Sequence, residues 1–119
     1  MENQPLVSVI MPCYNMEKYI ADSIESVKQQ TYPYWELLIV DDASTDGTVA
    51  IVEKYCQQDH RIRCTIKTKH SGIATARNQC IKMAQGQYLA FLDADDIWHP
   101  KKLEIQLLFM VEKKAGFSY

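Results

Sequence analysis

Two hydrophobic periods alternate along the chain. Val7-Ser8-Val9-Ile10-Met11 is a β-branched run halted by Pro12, and Glu36-Leu37-Leu38-Ile39-Val40 is continuously apolar after one polar residue. Continuous runs of this kind suit parallel strands covered on both faces. Ile62 to Thr68, Gln87 to Leu92, and a start at Ala115-Gly116-Phe117-Ser118-Tyr119 add three more strand signals. Between them the period changes to that of a helix. Tyr19, Ile20, Ile24 and Val27 share one face, with Asn15 as a possible cap and Thr31-Tyr32-Pro33 as the stop. Val49, Val52 and Cys56 share another, capped by Ser44 or Asp46. Ile73, Ala76, Cys80, Ile81 and Ala84 follow Ser71-Gly72, with Gly86 read as the C-terminal glycine. His99-Pro100 predicts a last helix with proline in its first position and a core face of Leu103, Leu107, Met110 and Val111. Five strands alternating with four helices predict an α/β domain with a mostly parallel sheet. A chain that ends on a nascent strand is expected to be part of a longer one.

Composition narrows this only slightly. The chain has 119 residues, 47% hydrophobic and 24% charged, which suits one small globular domain. A net charge of -2 with scattered lysines and arginines gives no footprint for nucleic acid. Met1 to Pro5 lacks the basic and apolar regions of a secretory signal, and no apolar run is long enough to span a bilayer, so an intracellular protein is expected. Cys13, Cys56, Cys64 and Cys80 form no CxxC pair; free thiols are expected, without zinc or disulfides.

Candidate chemistry follows from the strand ends, because ligands of open α/β sheets bind beyond the carboxyl ends of the strands. Those ends carry Pro12-Cys13-Tyr14-Asn15, Asp41-Asp42-Ala43-Ser44, Lys69-His70-Ser71-Gly72 and Asp93-Ala94-Asp95-Asp96. Carboxylates gathered in one crevice repel each other, and a hard divalent cation removes the conflict. Asp93 and Asp95, on alternate residues, can aim at one ion that bridges diphosphate oxygens; the plainer reading is a solvated acidic turn before a helix. Asp41 or Asp42 can accept from a base or ribose, or can simply build a turn. Tyr14 can stack on a base or just pack. Arg77, opposite Cys80, can reach a phosphate, or pair with a nearby aspartate. His60, His70 and His99 receive no role, although His70 is placed to line the crevice, and Trp98 is expected to pack.

With these residues assembled, the chain resembles family 2 glycosyltransferases of the GT-A fold. The resemblance is carried by Val7 to Asn15, Glu36 to Asp46, Gly72-Ile73-Ala74-Thr75-Ala76-Arg77-Asn78 and Phe91 to Pro100, in family order. It implies a Rossmann-like sheet flanked by helices, cut after the DxD region, with the whole chain forming the nucleotide-sugar-binding part. Pro12 and Tyr14 would border a base, commonly uracil; Asp42 would bond it with Asp41 close by; and Arg77 would line the nucleotide site. Asp93 would face the ribose or the metal's water shell, Asp95 would ligate Mn²⁺ or Mg²⁺ directly, and Asp96 belongs to the same pattern. The family's reaction inverts the anomeric carbon in one displacement onto a saccharide or lipid-linked acceptor, and the resemblance implies a cytoplasmic protein with room for peripheral contact at the inner face of the membrane. Its carboxylate base comes from a segment well after the DxD, so this chain alone is expected to bind donor without transferring sugar.

A non-catalytic nucleotide-sugar module is the alternative, separated by an assay of transfer against binding. A phospho-acceptor receiver needs an acidic pair after the first strand, where this chain has Pro-Cys-Tyr-Asn. A dinucleotide-binding domain needs a glycine-rich first turn, which is absent. Sugar, acceptor and oligomeric state are not specified by these residues.

Overall fold

Strand β1 (Val7–Cys13) is the centre of the sheet, and its burial on both faces explains its unbroken apolar run. The chain continues through α1 (Ile20–Lys28), β2 (Trp35–Asp41), α2 (Thr48–Gln58), β3 (Ile62–Ile66), α3 (Ile73–Met83), β4 (Tyr88–Phe91), α4 (Lys102–Lys113) and β5 (Phe117–Ser118). The computed structural model describes residues 4–113 and 117–118, with side chains through residue 107. The side chains of Met110 and Val111, and residues Ala115, Gly116 and Tyr119, lie outside the described residues. No described helix is long and apolar enough to cross a membrane.

All five strands are parallel, in the order β3-β2-β1-β4-β5. Strand order therefore grows outward from β1 in one direction and reverses between β3 and β4, so the switch point lies between β1 and β4. Alternation along the strands builds two cores. Val7, Val9, Met11, Leu37 and Ile39 pack with Ile20, Ile24, Val27, Val52, Trp98, Leu103 and Leu107 on one face. Ile10, Leu38 and Val40 meet Ala76 and Cys80 of α3 on the other. Trp98 packs as expected, and the four cysteines are free.

Four local signals have a different physical basis from the one the sequence suggested. Pro12 does not stop β1; it pairs with Val40 inside the strand. The Cys13 carbonyl accepts from Asp42 on the β2 side, so the nitrogen of Pro12 faces the β4 side, where pairing has ended at Ile10↔Phe91. The missing donor costs no ladder bond there. Asn15 does not cap α1, whose N-cap is Tyr19 without a side-chain bond. Instead Asn15 has φ 52° and its Oδ1 accepts from the Thr45 amide at 2.8 Å. Gly86 has no positive φ; a Cβ there would come within 2.6 Å of both the Leu6 carbonyl and Ser8 Oγ. Pro100 precedes α4 rather than opening it, and its carbonyl accepts from Thr31 at 2.9 Å.

Candidate functional site

The carboxyl ends of β1 and β2 are locked together by their loops. Asn15 N donates to Ser44 Oγ and Met16 N to Thr48 Oγ1, each at 2.8 Å, while Gly47 N donates to Glu17 Oε1 at 3.0 Å. The N-cap of α2 is Gly47, with no side-chain cap bond, so neither Ser44 nor Asp46 holds the expected cap position; one residue earlier, Asp46 accepts from Thr48 N at 2.9 Å. Its carboxyl is held below the usual range: burial pushes it up, and the Thr48 hydroxyl and amide together with the Glu17 amide outweigh that.

Asp41 and Asp42 are both fully buried and are divided between the two faces of the sheet. Asp41 closes its own turn, accepting from Ser44 N at 2.8 Å and from the Ser44 hydroxyl, with Cys13 Sγ at 3.5 Å. Burial and the Asp41 carboxylate raise the Cys13 thiol well above its ordinary value, so it stays protonated. The turn is completed by Ala43 at φ 64°, a left-handed conformation that costs about 1 kcal/mol for a residue with a Cβ.

Asp42 faces α3 and holds the loop after β3. It accepts from Ser71 N at 3.0 Å and Gly72 N at 2.8 Å, and it pairs with Lys67 Nζ at 3.2 Å and His70 Nδ1 at 2.8 Å. Burial raises its carboxyl, but the two amides, Lys67 and His70 prevail and leave it below the usual carboxylate range. Gly72, at φ +106°, is the position where only glycine turns the amide onto Asp42 without strain. His70 in turn meets the ring of Tyr14, with centroids 4.3 Å apart and planes 41° apart. Tyr14, His70 and Asp42 therefore form one contact chain across the ends of β1 and β2.

Asp93-Ala94-Asp95-Asp96 lies across the switch point, beyond β4. Leu92 N still donates to Ile10 O at 3.0 Å, and then the chain turns, with Asp96 N on Asp93 O at 3.0 Å. Ala94 points into the core at 4% exposure, while Asp93, Asp95 and Asp96 are exposed. The turn is held by its backbone: Ser23 of α1 donates to the carbonyls of Ala94, at 2.8 Å, and of Asp96. Two helical turns further on, Gln30 donates to His99 O at 2.8 Å and accepts from Leu103 N at 3.0 Å. Ser23 of α1 and Gln30, just past its C-terminal end, thus fix the segment from the acidic turn to the start of α4. The carboxylates of Asp93 and Asp95 make no hydrogen bond or ion pair among the described residues.

This geometry divides the five acidic residues. Asp41 and Asp42 are already satisfied by protein donors, so they do not need the cation that crowding suggested. No group of three or more His, Cys, Asp or Glu among the described residues could hold a metal ion. Asp93 and Asp95 nevertheless offer two open carboxylates, the ligand type that hard divalent cations take. Half-buried Arg77, in the second turn of α3, makes no hydrogen bond or ion pair among the described residues. No such bond joins Arg77 or the acidic turn to the Tyr14–His70–Asp42 chain.

Ser23, Gln30, Lys67 and Ser71 carry the site's architecture and were not legible as site residues. The first did leave a signal: Ser23 is a polar residue on the apolar stripe of Ile20, Ile24 and Val27.

An open, doubly wound parallel sheet with an acidic turn and an aromatic pair at its switch-point end defines an α/β domain of the GT-A type. The chain belongs to glycosyl transferase family 2, whose model matches residues 8–119. A Bacillus subtilis (strain 168) protein named for teichuronic acid biosynthesis, glycosyltransferase TuaG, is 51% identical over 98% of this chain and 46% of its own length. The Escherichia coli UDP-Glc:alpha-D-GlcNAc-diphosphoundecaprenol beta-1,3-glucosyltransferase WfgD is 46% identical over 96% of this chain and 44% of its own. S. aureus TarS 1-349 in complex with UDP superposes with a TM-score of 0.82 at 37% identity, over 89% of this chain and 32% of TarS. The mannosyltransferase PcManGT from Pyrobaculum calidifontis, in complex with GDP-Man and Mn²⁺, gives 0.84 at 29% identity, over 92% of this chain and 33% of its own. The chain spans less than half the length of each of these relatives.

Proposed function

We propose that this chain is the donor-binding part of an inverting glycosyltransferase that takes a sugar from a uridine-diphosphate donor to a saccharide or lipid-linked acceptor. The observation that carries the reading is the acidic turn: its backbone is pinned by Ser23, and its Asp93 and Asp95 carboxylates are open beside the switch point. Relatives named for a UDP-Glc donor and a diphosphoundecaprenol acceptor, and one solved with UDP, support the choice of donor and acceptor class.

In this reading Tyr14 and Pro12 border the base. The buried Asp41 and Asp42 hold the loops around it, and Arg77 supplies positive charge to the ribose or diphosphate. Asp95 would hold Mn²⁺ or Mg²⁺ directly, with Asp93 beside it toward the ribose or the metal's water. A cation held there would supply positive charge to the departing diphosphate. The base that deprotonates the acceptor hydroxyl is not among the site residues described, and a lipid-linked acceptor would bring the protein to the inner face of a membrane.

Thermal denaturation with UDP and Mn²⁺ tests the reading, because a ligand of the native state raises its melting temperature. Stabilisation by UDP with Mn²⁺, reduced to the metal-free value in Asp95→Ala, is the expected result. No shift with any nucleoside diphosphate plus metal would sink it. Binding without sugar transfer by the whole protein would favour a non-catalytic module.

A further inference from the structure

Cys56 and Cys64 take no part in the site described above, and the fold sets them against each other. Cys56 lies one helical turn after Val52, the buried residue through which α2 meets the sheet. Cys64 lies two residues after the buried Ile62, on the same side of β3, and both cysteines pack against one core cluster. The connection between them is short, since α2 ends at Gln58 and β3 begins at Ile62. Cys56 stands two residues before that end and Cys64 two residues after that beginning, and the Cys56 thiol donates to Cys64 Sγ.

The turn that joins them is fixed. Ile62 N donates to Asp59 O at 3.0 Å, and the Arg61 amide and guanidinium each donate to the Asp59 carboxylate at 2.9 Å. The same guanidinium lies over the Trp35 ring, 3.8 Å from its centroid. Cys13 and Cys80 are buried, whereas Cys56 and Cys64 are half-buried at the outer strand of the sheet, where a small reagent can reach them. The bond from Cys56 holds the Cys64 thiol below its ordinary value although burial raises it, and the same bond, with burial added, raises Cys56. Cys64 is therefore the first to ionise, and the thiolate is the form that attacks a disulfide.

We propose that Cys56 and Cys64 are a redox-active dithiol, which a low-molecular-weight disulfide of the glutathione type closes into a disulfide bond between α2 and the edge of the sheet. The Cys64 thiolate attacks one sulfur of that small disulfide, forms a mixed disulfide and releases one thiolate. Cys56 then gives up its proton, and its sulfur attacks Cys64 Sγ and expels the second thiolate. Two protein thiols are oxidised, one small disulfide is reduced to two thiols, and the two protons pass to those thiols. Strands β2 and β1 separate β3 from β4, so the bond forms away from Asp93 and Asp95.

The test is incubation of the native protein with glutathione disulfide, followed by alkylation in urea, trypsin digestion and mass spectrometry. The expected product is the peptide Tyr55 to Arg61 joined to the peptide Cys64 to Lys67, with Cys13 and Cys80 alkylated. Closing so short a loop should raise the melting temperature by roughly 5–10 °C, and dithiothreitol should abolish the rise. In Cys56→Ser, Cys64 should instead keep one glutathione, with no rise; in Cys64→Ser the rise should also be lost. All thiols still free after treatment, a bond that pairs other cysteines, separate glutathiones on Cys56 and Cys64, or the same rise in Cys56→Ser would each overturn the proposal.

Discussion

Replacing Glu36 by glutamine removes one charge from the closed end of the sheet. Glu36 Oε2 accepts from Ser8 Oγ at 2.6 Å and Gln85 N at 2.7 Å, and Oε1 accepts from Arg63 at 2.7 Å. Glutamine can keep its single oxygen on the Ser8 and Gln85 side, and its amide nitrogen then faces the Arg63 guanidinium. Two charge-assisted bonds become neutral ones, at about 0.5–1 kcal/mol each. The third is lost, but Arg63 is 40% exposed and regains water, which leaves about 0.5 kcal/mol at most from that pair. Burying a neutral amide instead of an anion offsets part of the loss, so the net destabilisation is about 1–2 kcal/mol, or roughly 5–10 °C in melting temperature. The pH dependence fixes the sign. Burial raises the Glu36 carboxyl, but Ser8, the Gln85 amide and Arg63 prevail and hold it below its usual value. Its contribution is therefore complete above the unfolded-state pKa and disappears as pH falls through the lower folded-state value. Wild type and Glu36→Gln should differ most near neutral pH and converge at a pH below about 4. UDP binding should be unchanged, because Glu36 lies roughly 16 Å along β2 from Asp41. Melting curves that differ by less than about 2 °C, or by the same amount from pH 7 to pH 3, would refute this account.

Three further substitutions probe other parts of the structure by thermal or urea denaturation. Gly86→Ala should cost about 1–3 kcal/mol, because its Cβ meets the backbone of Leu6 and Ser8 as well as the Ser8 hydroxyl, which is itself tied to Glu36. Ser23→Ala should cost about 1–3 kcal/mol by leaving the Ala94 and Asp96 carbonyls without their donor, and it should also reduce the metal-dependent stabilisation by UDP. Asp95→Ala should change the ligand-free stability by less than about 0.5 kcal/mol, since the side chain is exposed and makes no bond among the described residues.

The alternation of strands and helices was legible because each element is strongly patterned, and β1 and β2 are apolar on both faces. The ends were harder, because the residues that mark them act through distant partners. Pro12 reads as a stop only if the neighbouring strand is assumed to continue; here β4 has already ended. Gly86 resembles a helix cap in sequence, yet its requirement comes from Leu6 and Ser8, nearly eighty residues away along the chain. The acidic strand ends were equally visible, but sequence cannot tell satisfied carboxylates from open ones. Asp41 and Asp42 are satisfied by Ser44 and by the loop from Lys67 to Gly72, whereas Asp93 and Asp95 have no such donors. His70 went unassigned because its partners, Tyr14 and Asp42, come from two other strand ends.

The bonds from Ser23 reach the acidic turn through carbonyl oxygens, which every residue possesses. The shape of that turn is consequently indifferent to what positions 93 and 95 carry. Asparagine, glutamate or histidine can be exchanged there without asking the fold to adapt, so the chemistry offered at these two positions can be changed as if on an interchangeable head. Position 94 has no such freedom, because its methyl group belongs to the core. In this protein, the same three-residue stretch holds two sites open to chemical redesign and, between them, one that is closed to it.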